Sequence, residues 1–178
     1  MDLTEFVQRL RLVANELQAN REAESVQIGR EAMALVRLRI QNDKENAQGV
    51  SFGGYSQAVV PKQFFYNKSL SAAADRKVRS RTARMSYEDF REDNNLETDA
   101  KDFTFSGEML RDTGVSEVNN TADTTTVIIG GTSERSRKLL GYNTERDGDI
   151  LELSESEIDF VVDAHRERVL KVINKNLL

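Results

Sequence analysis

Ser86-Tyr-Glu-Asp-Phe90-Arg opens the stretch that decides the fold, and Leu151-Glu-Leu-Ser154-Glu-Ser-Glu157 closes it. Between them stand Asp102-Phe-Thr-Phe-Ser-Gly107-Glu-Met-Leu110, Val127-Ile-Ile-Gly130 and Gly141-Tyr-Asn143. Ser86 suits an N-cap, with Asp89 three positions on, and predicts a short helix through about Asp93. Asp102–Phe105 reads as a strand, and Ser106 can cap one helical turn through Arg111. Thr113–Val118 and Thr124–Ile129 read as two strands, with the polar run Asn119–Asp123 as their hairpin turn. A helix over Ser133–Leu140 follows, then a turn at Asp147-Gly148-Asp149 and a short strand at Ile150–Leu153. Ser154 and Glu157 make a capping box, in which hydroxyl and carboxylate each satisfy an orphaned N–H. It starts a helix to about residue 174, with Ile158, Val161, Val162, His165, Val169, Val172 and Ile173 as its apolar stripe.

Outward from this body, Leu3, Phe6, Leu10, Val13 and Leu17 recur at spacings of three and four, which is a helical face. Val26, Gly29, Met33, Val36 and Ile40 repeat the pattern over residues 21–42. The two patterns are one long helix or a pair joined near Asn20, where neither Gly nor Pro decides. Residues 43–84 then lose the periodicity, punctuated by Gly49, Gly53-Gly54 and Pro61. Residues 62–84 hold seven basic residues and one acidic residue, whereas 85–123 hold eleven acidic and three basic. The basic run, with Phe64-Phe65-Tyr66 at its start, reads as a projecting loop or hairpin, because a long structureless connection inside a compact domain is uncommon.

The class that follows is α+β: a small, mostly antiparallel sheet packed with long N- and C-terminal helices, plus an extended basic loop or arm. Its 178 residues suit one domain. The expected division is a helical extension over 1–25 and a single domain over 26–178, with the arm inserted at about 43–84. The chain has no cysteine, which excludes disulfides and thiolate metal sites. No apolar run approaches the ~18 residues of a membrane span, and the N-terminus lacks the pattern of a secretory signal. The net charge of −5 gives no global pull towards nucleic acid.

Chemistry-bearing motifs are sparse. His165, the only histidine, falls on an apolar stripe and reads as a packing or boundary residue. Asp147, Asp149 and Glu152 lack the spacing of a calcium loop and read as a solvated turn. Ile129-Gly130-Gly131-Thr132-Ser133 is not a P-loop, since no Gly-Lys-Ser/Thr follows, and reads as a strand-to-helix turn. No catalytic, metal or cofactor residue is assigned, and an enzyme is not expected. The basic segment remains. Its Arg76, Lys77, Arg79, Arg81 and Arg84, with Phe64, Phe65 and Tyr66 as anchors, are the expected subunit interface, pairing with the acidic 85–123 face of the same or a neighbouring chain. The alternative is a nucleic-acid-binding accessory protein, in which the same residues grip phosphates and stack bases.

The order of short motifs adds a resemblance. Leu35-Val-Arg-Leu-Arg-Ile40, Gly49-Val-Ser-Phe52, Tyr87-Glu-Asp-Phe90-Arg, Phe103-Thr-Phe-Ser-Gly-Glu-Met-Leu110, Thr126-Val-Ile-Ile-Gly130, Tyr142-Asn143 and Leu151–Glu157 together resemble the tail-completion (neck, virion morphogenesis) proteins of tailed bacteriophages. Thr104, Ser106, Gly107, Met109 and Leu110 fit that family's pattern before its central strands. The resemblance covers roughly residues 33–174. It implies a structural virion protein that builds a homo-oligomeric ring at the head–tail junction, made in the host cytoplasm. Portal, adaptor and tail proteins would flank it, and DNA would pass without specific binding. Two departures accompany it: residues 1–25 look like an extension, and Ile150-Leu-Glu-Leu-Ser154 replaces a Pro-rich motif.

Overall fold

The computed structural model describes residues 2–103, 108–121 and 123–177. Along the chain come α1 (Leu3–Asn42), β1 (Val60–Pro61), a 3-10 turn (Lys62–Phe65), α2 (Ala72–Ser80), β2 (Arg84–Met85) and α3 (Tyr87–Asp93). Then follow α4 (Glu108–Arg111), β3 (Thr113–Asn120), β4 (Thr125–Gly131), α5 (Glu134–Asp147) and α6 (Glu155–Leu177). The α+β class holds. The antiparallel component is two separate two-stranded ladders, β1–β2 and β3–β4.

The two N-terminal apolar patterns fuse into one helix of 40 residues. At 1.5 Å per residue it spans about 60 Å. Asp2 caps its start by accepting from the Glu5 N–H at 2.7 Å. The helix ends where Lys44 turns to a positive φ of 58°. Residues 3–25 therefore belong to α1 and form no separate element.

α6 runs antiparallel along α1, and a hydrogen bond and several ion pairs fix the register in reverse order. Arg9 donates to the Leu177 carbonyl, Lys175 pairs with Glu16, Arg168 with Glu24 and Glu31, and Glu157 with Arg39. The β3–β4 hairpin lies across the middle of α1. That crossing is close because α1 offers Gly29 there: a Cβ on it would stand 2.7 Å from methyls of both Val115 and Val127. A bulge at Ser116 shifts the register between Val115 and Glu117. Such bulges bend the strand and sharpen its twist.

The main core gathers below the hairpin. Met33, Val36 and Ile40 of α1 meet Phe52, Met109, Leu110, Leu140 and Ile150. Ile150 is fully buried, but Ile150–Leu153 forms no strand; its backbone turns, and the side chain simply plugs the core. Asp102 and Phe103 also lie outside any strand. Phe103 takes a positive φ of 54° and packs edge-on against Phe52, with ring centroids 4.8 Å apart. The rest of that expected strand, with Ser106 and Gly107, lies outside the described residues. α5 runs on to Asp147, well past Leu140, and Gly148 ends it with a positive φ of 83°.

The basic region departs from the expected arm. Residues 43–59 do lack regular elements apart from a Glu45–Ser51 bridge. Residues 60–93, however, fold into a compact unit around a second apolar cluster: Phe65, Val78, Met85 and Phe90. Phe65 and Phe90 stack at 4.7 Å. The overlooked signals are local. Ser71 is an N-cap that accepts from the Ala74 N–H, Asp75 sits in the first turn, and Lys77 and Arg79 sit in the last. Ala74 and Val78, four apart, then give α2 a narrow apolar edge that α3 covers.

Arg91 ties the two units together. Its side chain is only 1% exposed, yet it is fully engaged. Nε donates to the Glu97 carbonyl at 2.8 Å, Nη2 donates to Asp102 Oδ1 at 3.0 Å, and the guanidinium lies 3.9 Å from the Tyr55 ring centroid. Tyr55 donates its hydroxyl to the same Asp102 oxygen at 2.7 Å. Burial, and then that bond to a carboxylate, push the Tyr55 phenol well above its usual range.

Candidate interaction surfaces

The residues expected at a subunit interface divide into three groups. Phe65 is buried inside its own chain, so it is a core residue. Arg81 is also consumed internally. It reaches Asp93 at 2.7 Å, Asp89 at 2.8 Å and Glu92 at 2.8 Å, fastening α3 against the end of α2. Hydrogen bonding to Asp93 leads the effects that raise its pKa further. The expected pairing of basic run with acidic run thus occurs here within one chain.

A second group is exposed but engaged. Arg79 bonds Asp75 at 2.6 Å and lies over the Tyr66 ring at 4.4 Å. Arg84 donates to the Val59 carbonyl at 2.9 Å, and Lys77 donates to Asn95 Oδ1 at 3.3 Å. Tyr66, half-buried, packs against the second cluster. The third group faces solvent: Phe64 is 66% exposed beneath the Lys68 ammonium, and Arg76 projects from α2 with no ion pair among the described residues.

A larger exposed apolar surface lies on the long helices. Leu3, Phe6, Val7 and Leu10 remain open to solvent on the first turns of α1, up to 77% at Leu3. Arg9, beside them, donates to the Leu177 carbonyl in the last turn of α6. On α6, Ile158, Phe160, Val162 and Leu170 are exposed as well. Counting apolar positions finds these residues. It does not tell which of several apolar faces the chain itself covers.

A groove of about 590 Å³ lies between α1 and α6 at the hairpin's tip, walled by Leu17, Ile28, Val169 and Val172. His165 stands at its edge, half-exposed, with Nδ1 3.6 Å from Glu24 Oε2. That is a boundary position. Glu24 and Glu31 are already held by Arg168, whose two Nη atoms meet both oxygens of Glu31 at 2.9 and 3.1 Å. Burial works against the ionised form of Glu31, but the bonds from Gln27 and Arg168 outweigh it and lower its pKa.

Two other motifs have structural partners. Asp147 is the last residue of α5, its side chain 7% exposed and bound by Lys101 and Arg146, so it is a salt-bridged helix end and not part of the solvated turn expected. At α5, Ser133 and Ser136 form a reciprocal capping box, and the Asp112 carbonyl accepts from Thr132 and Ser136. Gly131 is needed because a Cβ there would lie 2.5 Å from the Arg137 nitrogen. The N-terminus of α5 is therefore capped by its own serines. Among the described residues, no group of three or more His, Asp or Glu side chains is gathered as a metal site, and no helix is long and apolar enough to cross a membrane.

The arrangement defines an α+β protein in which many ionised groups hold the long helices and the second unit in register, and which leaves apolar helix faces exposed. No family model, no curated protein and no solved structure matches the chain.

Proposed function

We propose that this chain is a structural virion protein of the phage head–tail junction, of the neck or tail-completion type. It acts by association: copies assemble as a ring that joins connector to tail, without catalysis. The observation that carries the reading is the exposed apolar surface on both long helices, in a protein that uses its ion pairs to lock those helices together. Contiguous uncovered apolar surface marks a place where another protein sits. The order of motifs from Leu35 to Glu157 supports the same reading, and Met109 and Leu110 of that pattern lie in the main core. The flanking partners are portal or adaptor and tail proteins, and DNA passes without a specific site.

The nucleic-acid alternative draws less support. Of its five arginine and lysine residues from Arg76 to Arg84, Arg81 is clamped by three carboxylates and Arg79 and Arg84 are engaged locally. Size-exclusion chromatography with light scattering, followed by negative-stain microscopy, tests the proposal. A closed ring of defined copy number is expected, alone or with portal and tail components. A chain that stays monomeric at every concentration and with every neck component overturns it.

A further inference from the structure

α6 has two sides. The side against α1 buries Glu157 and Val161. An adjoining, outward side aligns Glu155, Ile158, Asp159 and Val162 at i, i+3, i+4 and i+7, which is one helical face. All four are exposed, Ile158 by 46% and Val162 by 49%. The surrounding segment 147–163 holds seven acidic residues and no basic one. Asp147 and Glu157 are spent on Lys101 and Arg39, and Asp163 pairs with Arg166. Glu155 and Asp159 have no ion pair among the described residues.

α2 repeats that spacing with opposite chemistry. Ala73, Arg76, Lys77 and Ser80 stand at i, i+3, i+4 and i+7, all exposed, with two cations framed by two small residues. Small flanking side chains leave room for a neighbour's aliphatic groups, and the cations match two carboxylates. Phe64 and Leu70 extend the same unit with exposed apolar surface. Within one chain the two faces belong to separate bodies: α2 rests on α3, and α6 rests on α1. Among the described residues no hydrogen bond or ion pair joins them.

We propose that the acidic–aliphatic face of α6 (Glu155, Ile158, Asp159, Val162) docks on the basic face of α2 (Arg76, Lys77) in a second copy of this chain. The inference rests on the reading of the chain as a ring former and supplies its subunit contact. Made once between two copies, the contact is head-to-tail and leaves the pair with one unsatisfied face of each kind. Such contacts propagate until the ring closes. Complementary charge sets register and encounter, and the aliphatic pair adds burial. A nucleic acid would occupy the α2 face and leave the α6 stripe uncovered.

The test is charge reversal with complementation. One variant carries Glu155→Lys and Asp159→Lys; the other carries Arg76→Glu and Lys77→Glu. All four positions are exposed, and circular dichroism checks that both variants fold. Each variant alone should need about tenfold or more higher concentration to assemble than the native chain. An equimolar mixture should restore assembly, with the two variants alternating, because every contact then pairs opposite charges. If the native chain assembles and both variants assemble equally well, this contact is wrong while the ring reading stands. Loss of assembly that mixing does not rescue also overturns it. A native chain that never assembles removes the ring reading and this contact with it.

Discussion

Gly29 and Val127 approach so closely that a Cβ on the glycine would lie 2.7 Å from the valine Cγ1. The hairpin can rest on α1 only because that one position has no side chain. Added bulk in a packed site costs about 1–3 kcal/mol, whereas Gly-to-Ala exchange inside a helix regains about 1 kcal/mol. Gly29→Ala should therefore lower stability by up to about 2 kcal/mol, and Gly29→Val should lower it further. Gly141 in α5 has open space where a Cβ would go, so Gly141→Ala should raise stability by up to about 1 kcal/mol. Urea unfolding midpoints compare the pair. Equal shifts in one direction would contradict the close crossing.

The Arg91–Asp102 pair gives a larger effect. Asp102→Ala would strand a guanidinium that is 1% exposed and remove the acceptor of the Tyr55 hydroxyl. Breaking a buried pair from one side costs about 3–5 kcal/mol. Urea unfolding should show a loss of that order, and Asp102→Asn should recover part of it by keeping an acceptor oxygen. A loss below about 1 kcal/mol, the scale of a surface pair, would place this contact in solvent instead.

Arg81 and Arg76 should separate stability from association. Arg81→Ala releases Asp89, Glu92 and Asp93, and amide exchange should quicken across α2 and α3 while the main core stays protected. Arg76→Ala touches no ion pair among the described residues and should leave exchange unchanged while weakening assembly. Binding of duplex DNA that falls steeply with salt and is lost in Arg76→Ala would favour the nucleic-acid alternative instead.

Acid should loosen the same unit. The Asp89 carboxylate accepts from the Ser86 backbone N–H at 2.7 Å, then from the Ser86 hydroxyl and Arg81, and its pKa is lowered by them in that order. A lowered folded-state pKa means stabilisation that is complete above the unfolded value, about pH 4, and lost as pH falls through the folded one. Glu31 acts with the same sign. Stability should fall below about pH 4. Asp89→Asn should be weaker at pH 7 and flatter through that window, as unfolding curves from pH 7 down to pH 3 would register.

Much of this was legible in the residues. Ser86 with Asp89 and Ser154 with Glu157 gave two helix starts correctly, since capping depends on a few neighbouring atoms. The β3–β4 hairpin was legible for the same reason, with each strand running two residues past its predicted end. Ile150 misled because a buried apolar residue beside a turn looks the same whether it sits in a ladder or plugs a core. The basic segment misled more. Its charge suggested an arm, while Phe65, Val78, Met85 and Phe90, scattered over 26 residues, make a cluster that no local period displays. Deleting residues 62–84 would thus uncover Met85 and Phe90, and point substitutions are the cleaner probe of that surface. The exposed faces of α1 and α6 were not legible in the residues, because exposure depends on which face of each helix its neighbour covers.

The antiparallel pairing of α1 with α6 also sets an order of events during synthesis. Arg9 finds its partner 168 positions later in the chain, and Glu24 finds Arg168. At about 5–20 residues per second, α1 would wait roughly ten to thirty seconds on the ribosome before α6 can reach it. Throughout that interval Val13, Leu17 and the groove wall stand open beside Leu3, Phe6 and Leu10, which remain exposed in the folded protein. A nascent chain in that state is a substrate for chaperones, and neighbouring nascent chains could join through α1 before their own α6 exists.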